Sequence, residues 1–160
     1  MSDPVQLAIR LWTGSEFTHS ALILDGEVWE FTRSGFRRSK AEVYPGDWLA
    51  LDFLGLTEEK EELMRAEMNR IASSPGRYDW FALTGIVAAS AVRLLAGCLT
   101  GSMGGLNPFQ HPGRYFCSEY VAMVSAAAGY HHGKSPGFVY PSDHIKVPWL
   151  LESDPHGGAP

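Results

Sequence analysis

Cysteine is scarce in this chain, and that scarcity closes one route at once. Two residues, Cys98 and Cys117, cannot build the disulfide framework of a small secreted scaffold. Positive charge is scarce too. Thirteen basic residues against 18 acidic give a formal net charge of -5, which argues against general affinity for nucleic acid or an anionic membrane. Only the cluster Arg33, Arg37, Arg38 and Lys40 offers a local basic patch. A long apolar run is also missing. The most apolar window, Trp80 to Leu99, is interrupted by Gly85, Ser90, Arg93 and Gly97. Its uncharged part spans about 13 residues, short of the roughly 20 that cross a bilayer, so a buried core helix fits it and stable membrane insertion is not expected. Met1-Ser2-Asp3-Pro4 shows no basic segment leading into an apolar one, so no signal peptide is expected and a cytoplasmic location is the default.

What is present is a core. Of the 160 residues, 45% are hydrophobic, enough for one domain over residues 1–153, with a flexible tail over 154–160. The first third alternates short apolar runs with turn signals. Val5 to Trp12, Phe17 to Leu24, Glu27 to Arg33, Arg38 to Tyr44 and Trp48 to Phe53 read as five strands of a β-meander. Asp25-Gly26 between two such runs is a strong type I′ hairpin signal.

Composition then turns helical. Thr57 is a good N-cap, and Glu58, Glu59, Glu61 and Glu62 load the first turns with the charge that the helix dipole favours. Leu63, Met64, Met68 and Ile71 are expected on one buried face of this helix, which ends near Ser73 to Gly76. A second helix is expected from Asp79 to about Leu95, with Cys98 as a small core hydrophobe beyond it. The Gly/Pro-rich stretch Thr100 to Gly113 is a loop or lid, and a third helix runs from Cys117 to Gly129. Phe138 to Tyr140 reads as a short strand and Pro141-Ser142-Asp143-His144 as a turn or short helix start. Strands first and helices after argue for an α+β fold with about three helices against the meander.

Cys117 sits where loop becomes apolar helix. There the unpaired backbone amides and the positive end of the dipole favour the thiolate, which makes it a candidate nucleophile. A thiol nucleophile needs a base within reach and a group to orient that base. Six histidines are available. His156 lies in the tail. His131 and His132 are adjacent in a connection, so both cannot easily face one site. His111 precedes Cys117 in the loop and competes for the role, and His144 lies in a late turn. His19 interrupts an otherwise apolar strand, where a polar ring needs a reason, although a structural histidine is the plain alternative.

The hairpin supplies a test. With Asp25-Gly26 as the turn, Leu24 pairs with Glu27, Ala21 with Glu30 and His19 with Thr32. Alternation then puts His19 and Glu30 on one face as diagonal neighbours, about 7–8 Å apart at the backbone and closable by two long side chains. Glu27 falls on the opposite face. A carboxylate beside the imidazole would hold its tautomer and stabilise the imidazolium. Cys117, His19 and Glu30 are therefore the candidate catalytic residues. No cofactor and no metal are expected. A site built from His111, Cys117, His131 and His132 lacks the spacing that sets two histidines on one helix face.

Thr18-His19-Ser20-Ala21-Leu22-Ile23-Leu24, then Val28-Trp29-Glu30-Phe31, then Tyr115-Phe116-Cys117-Ser118-Glu119-Tyr120-Val121 carry a resemblance. Together they resemble the circularly permuted branch of the NlpC-type papain-like superfamily, the YiiX/YaeF-like amidases, with lecithin retinol acyltransferase-like proteins as distant relatives. In that branch the histidine strand precedes the cysteine helix, as it does here. Tyr78-Asp79-Trp80 before an apolar stretch and Pro141-Ser142-Asp143 after the cysteine helix look like the same branch, and the resemblance spans roughly residues 5 to 150. It implies a papain-like core and a cysteine hydrolase acting on an amide or ester, peptidoglycan-derived peptides included, with Cys117 as nucleophile, His19 as base and Glu30 as orienting residue. The implied partner is a peptide, amide or acyl substrate. Acyl transfer to another acceptor, or a binding module that keeps the fold without chemistry, are the competing functions. Ser118 and Glu119 suit bracing of the helix start, and Tyr115 or Gln110 are candidates for a second oxyanion donor beside the Cys117 amide.

Overall fold

A computed structural model describes residues 4–41, 48–73, 77–79 and 114–152. The order is α1 (Pro4–Thr13), β1 (Leu22–Leu24), β2 (Glu27–Thr32), β3 (Gly35–Lys40), β4 (Leu51–Phe53), α2 (Glu58–Ala72), β5 (Arg77–Tyr78), β6 (Arg114–Tyr115), α3 (Cys117–Ala127), a 3-10 turn (Pro136–Phe138), α4 (Pro141–His144) and β7 (Leu150–Glu152). The fold is mixed α+β. Its strands form a three-stranded antiparallel sheet in the order β1-β2-β3 and two small pairs, antiparallel β4-β7 and parallel β5-β6.

The hairpin forms in the expected register. Leu22 pairs with Trp29, Ile23 with Val28 and Leu24 with Glu27. The turn residues Asp25 and Gly26 both have positive φ, 52° and 71°, as a type I′ turn requires. The next hairpin of the expected meander is tighter than its sequence suggests. Thr32 pairs with Gly35 and Glu30 with Arg37, so β3 begins at Gly35 and contains Arg38, which the sequence reading takes as the strand's start.

Several expectations are corrected. Val5 to Trp12 is not a strand but lies in the helix α1. Its apolar residues alternate at 5, 7, 9 and 11, yet Val5, Ala8, Ile9 and Trp12 also stand at the i, i+3, i+4, i+7 spacing of one helix face. Pro4 at the first helical position, the Gly14 amide on the Arg10 carbonyl at 2.9 Å and a φ of 64° at Gly14 close the two ends. The Trp48 to Phe53 strand shortens to Leu51–Phe53 and leaves the meander for the far end of the chain, where Leu51 pairs with Glu152 and Phe53 with Leu150. Phe53 also stacks on Trp149 at 5.7 Å between ring centroids, and both rings meet Tyr130. Phe138 to Tyr140 is not a strand: Phe138 closes the 3-10 turn, where Pro136 favours a tight start, and Val139 is extended but unpaired in any sheet.

Helix α2 forms as its sequence demands, with the Lys60 amide donating to Thr57 Oγ1 at 3.3 Å. Met64, Met68 and Ile71 are buried, whereas Leu63 is 47% exposed, one residue round the helix from the core face. Helix α3 ends at Ala127, and Gly129 follows with φ 82°. These two helices pack against each other and α3 packs against β2, so that the core joins Met68, Ile71, Tyr120 and Val124 to Trp29, Phe31 and Phe36. Phe31 meets Phe36, Tyr115 and Tyr120 in tilted or edge-on contacts. The rest of the second expected helix beyond Asp79, Cys98, the Thr100 to Gly113 loop, the strand end at 42–44 and the tail lie outside the described residues. No helix among the described residues is long and apolar enough to cross a membrane.

Candidate functional site

Three elements meet at the first turn of α3. The helix brings Cys117 as its first residue, the extended segment before β1 brings His19, and β2 brings Glu30. Two buried polar contacts hold the helix start. The Phe116 amide donates to Glu119 Oε2 at 3.4 Å, and Ser118 Oγ donates to the Val139 carbonyl at 2.6 Å. Both residues therefore brace the turn, as their types suggested.

His19 stands outside the β1-β2 ladder, which stops at Leu22. Its side chain still closes the distance: His19 Nε2 meets Glu30 Oε2 at 2.6 Å. Glu30 is 1% exposed, while a third of the His19 side chain remains open. The second group acting on the ring is the Cys117 thiol, and each shifts the protonation of the other. With Nε2 on the carboxylate, Nδ1 is the nitrogen left for sulfur.

The electrostatics follow from this order of groups. Burial alone lowers the imidazole, but hydrogen bonds and charge from Cys117 and Glu30 overcome it and raise His19 to about 10. Burial likewise pushes the Cys117 thiol up, and the His19 hydrogen bond and charge, with the Ser20 and Ser118 backbone amides, reverse that and bring it below its ordinary value. Both shifts favour the same state, a thiolate beside an imidazolium. Cys117 itself is 3% exposed, so its thiol is buried.

The remaining histidines divide clearly. His111 and His156 lie outside the described residues. His131 is exposed. His132 Nε2 and His144 Nδ1 share a hydrogen bond of 2.8 Å, and burial pushes them down to about 4 and about 3, so this pair is neutral. Neither ring bonds to the thiol. Among the described residues no three His, Cys, Asp or Glu side chains are arranged to hold a metal ion. Tyr115 is buried and packs its ring on Phe31 at 5.4 Å. Gln110 lies outside the described residues.

Sequence reasoning missed Arg37. Its Nε donates to Glu30 Oε1 at 2.8 Å, and its Nη2 reaches the same oxygen. Arg38, its neighbour in the basic cluster, bonds to Glu27 and lies over the Trp29 ring at 3.9 Å. At least these two of the four cations are therefore spent on intramolecular partners. A cleft of about 700 Å³ opens beside His19, with Leu22, Val28, Met64, Met68 and Val121 among its walls.

No family model, no curated protein and no solved structure matches this chain.

Proposed function

We propose that the protein is a thiol hydrolase of the permuted papain-like type that cleaves an amide through Cys117, His19 and Glu30. The observation that carries this reading is the order of groups at the start of α3: a buried carboxylate 2.6 Å from an imidazole, and a buried thiol whose protonation that imidazole shifts. A structural histidine needs a partner for each nitrogen, but nothing requires those partners to be an anion and a nucleophile.

The chemistry runs in two halves. The Cys117 thiolate attacks the substrate carbonyl carbon, and the carbonyl electrons move onto oxygen. The Cys117 amide, one of the leading N–H groups without an intrahelical acceptor, is placed to stabilise that oxyanion. When the oxyanion collapses, the carbon–nitrogen bond breaks and the leaving amine takes its proton from the His19 imidazolium. The neutral imidazole then removes a proton from water, which attacks the thioester and releases the acid and the thiolate. Glu30 keeps Nε2 engaged throughout, so the ring presents Nδ1 to the reacting atoms. Because the sulfur is 3% exposed, substrate entry must displace groups that cover it.

One observation favours a second reading. The cleft beside His19 sets apolar walls such as Leu22, Val28 and Met64 beside Arg10, Glu16, Asp52 and Glu61, so it offers surface to an acyl chain as well as to a peptide. The same thioester would then be resolved by an acceptor other than water.

Incubation with acyl p-nitroanilides and p-nitrophenyl esters, followed by intact-mass analysis, tests both. The expected result is an acyl adduct on wild-type protein that is absent from Cys117→Ser, with free acid released. Acyl label found on an added amine or alcohol and absent from acid would replace hydrolysis with transfer. A Cys117 no more reactive to iodoacetamide at neutral pH than a free peptide thiol, with no adduct from either substrate, would overturn both and leave a binding module.

A further inference from the structure

Glu30 is shared. One carboxylate oxygen meets His19, and the other meets a guanidinium that the β2-β3 register places directly across the sheet. Cross-strand partners point to the same face, so this contact is built into the hairpin rather than reached by a flexible chain. We propose that Arg37 is a positioning residue for the site, holding Glu30 against His19 and balancing its charge so that the thiolate can exist. This inference rests on the functional reading above.

Charge bookkeeping within the cluster supports it. Thiolate, imidazolium, carboxylate and guanidinium alternate in sign and sum to zero. Without Arg37 the same three groups carry a net charge of -1, with Glu30 1% and Cys117 3% exposed. A buried net charge is relieved by taking up a proton. His19 already holds one. A thiolate is far more basic than a carboxylate, so the proton goes to Cys117 and the nucleophile is lost. Among the described groups near this turn, His132 and His144 are neutral, and Glu119 and Asp79 are further buried acids. Arg37 is about half exposed, 54% for its side chain, so its far edge stays solvated while its inner edge fixes the carboxylate.

The test is the thiolate titration of Cys117, followed by absorbance near 240 nm as the difference from Cys117→Ser and by the iodoacetamide rate from pH 4 to 10. Wild type, Arg37→Met and Arg37→Lys are compared, each with a melting curve. Arg37→Met is expected to move the midpoint up by about one pH unit, so that thiolate below both midpoints falls about tenfold. Arg37→Lys, which keeps the charge, is expected to recover most of that shift. An Arg37 with a merely structural role would lower the melting temperature and leave the midpoint in place, and that result overturns the inference alone. A wild-type protein with no thiolate at neutral pH overturns this inference and the functional reading together, and the wild-type arm by itself reveals it.

Discussion

Replacing Glu30 with glutamine keeps the side chain's shape and removes its charge, so it isolates what the carboxylate does for His19. The position is 1% exposed, and an isosteric amide leaves the packing around it intact. What disappears is a charge-assisted hydrogen bond of 2.6 Å. Bonds of that kind contribute about 1.5–3 kcal/mol, and a unit pair at 4 Å in an effective dielectric of 20 interacts by about 4 kcal/mol as an upper bracket. The lower range is the better figure, because a third of the His19 side chain faces solvent. Arg37 also remains, now as a second cation with no anion between it and the ring. A loss of about 2–3 kcal/mol corresponds to a fall of about 1.5–2 pH units for the imidazolium and a loss of about 30- to 150-fold in kcat/KM. The assay is the pH profile of ester or anilide hydrolysis, read beside the His19 titration by NMR. Glu30→Gln is expected to bring the alkaline limb well below that of wild type and to lower the plateau. A folded Glu30→Gln protein whose profile superimposes on that of wild type would refute the orienting role.

Two further outcomes test the same physics from other sides. In wild type, His19 stays protonated until pH rises through about 10, and the Cys117 thiol ionises below its ordinary range, so hydrolysis should follow a broad bell. Its acid limb marks loss of the thiolate as pH falls, its alkaline limb marks loss of the imidazolium as pH rises, and a profile governed by one group near pH 6.5 would contradict it. Away from the Cys117 thiol, the Tyr120 hydroxyl is buried with no hydrogen-bond partner among the described residues, and burial raises its pKa. Tyr120→Phe removes that unsatisfied group and should stabilise the fold by about 1 kcal/mol in urea unfolding; a loss of stability would show that the hydroxyl has a partner.

The parts of the fold legible in the sequence are those decided within a few residues. Thr57 followed by four glutamates within five residues could only begin a helix, and Asp25-Gly26 could only close a two-residue hairpin. The parts that stayed hidden are decided elsewhere in the chain. Strand β4 exists because Leu150–Glu152, about a hundred residues on, pairs with it, and no local signal in Trp48 to Phe53 names that partner. The two-residue strands β5 and β6 are too short to carry any alternation. Segment α1 was hidden for a different reason. Its apolar residues satisfy both a period of 2 and a period of 3.6, and at ten residues the end signals at Pro4 and Gly14 had to arbitrate.

The site shows the same division on a smaller scale. His19 and Glu30 could be paired because one turn sets the register between them; a slip of a single residue turns Glu30 to the other face and brings an aromatic residue, Trp29 or Phe31, beside His19 instead. Arg37 depends on a second register, that of β2 and β3, whose turn at Arg33-Ser34 offers a far weaker signal than Asp-Gly. A strand that begins at Arg38, as the local sequence suggests, excludes Arg37 and with it the cross-strand contact to Glu30. That shift of three residues has a chemical consequence. It separates a site of three groups carrying a net negative charge from a site of four that is neutral. A buried thiolate is tolerable in the second and is protonated in the first. The hairpin that seemed to be scaffold for Glu30 is thus part of what sets the charge on Cys117, and a register shift in β3 would silence the sulfur without touching any of the three groups nearest to it.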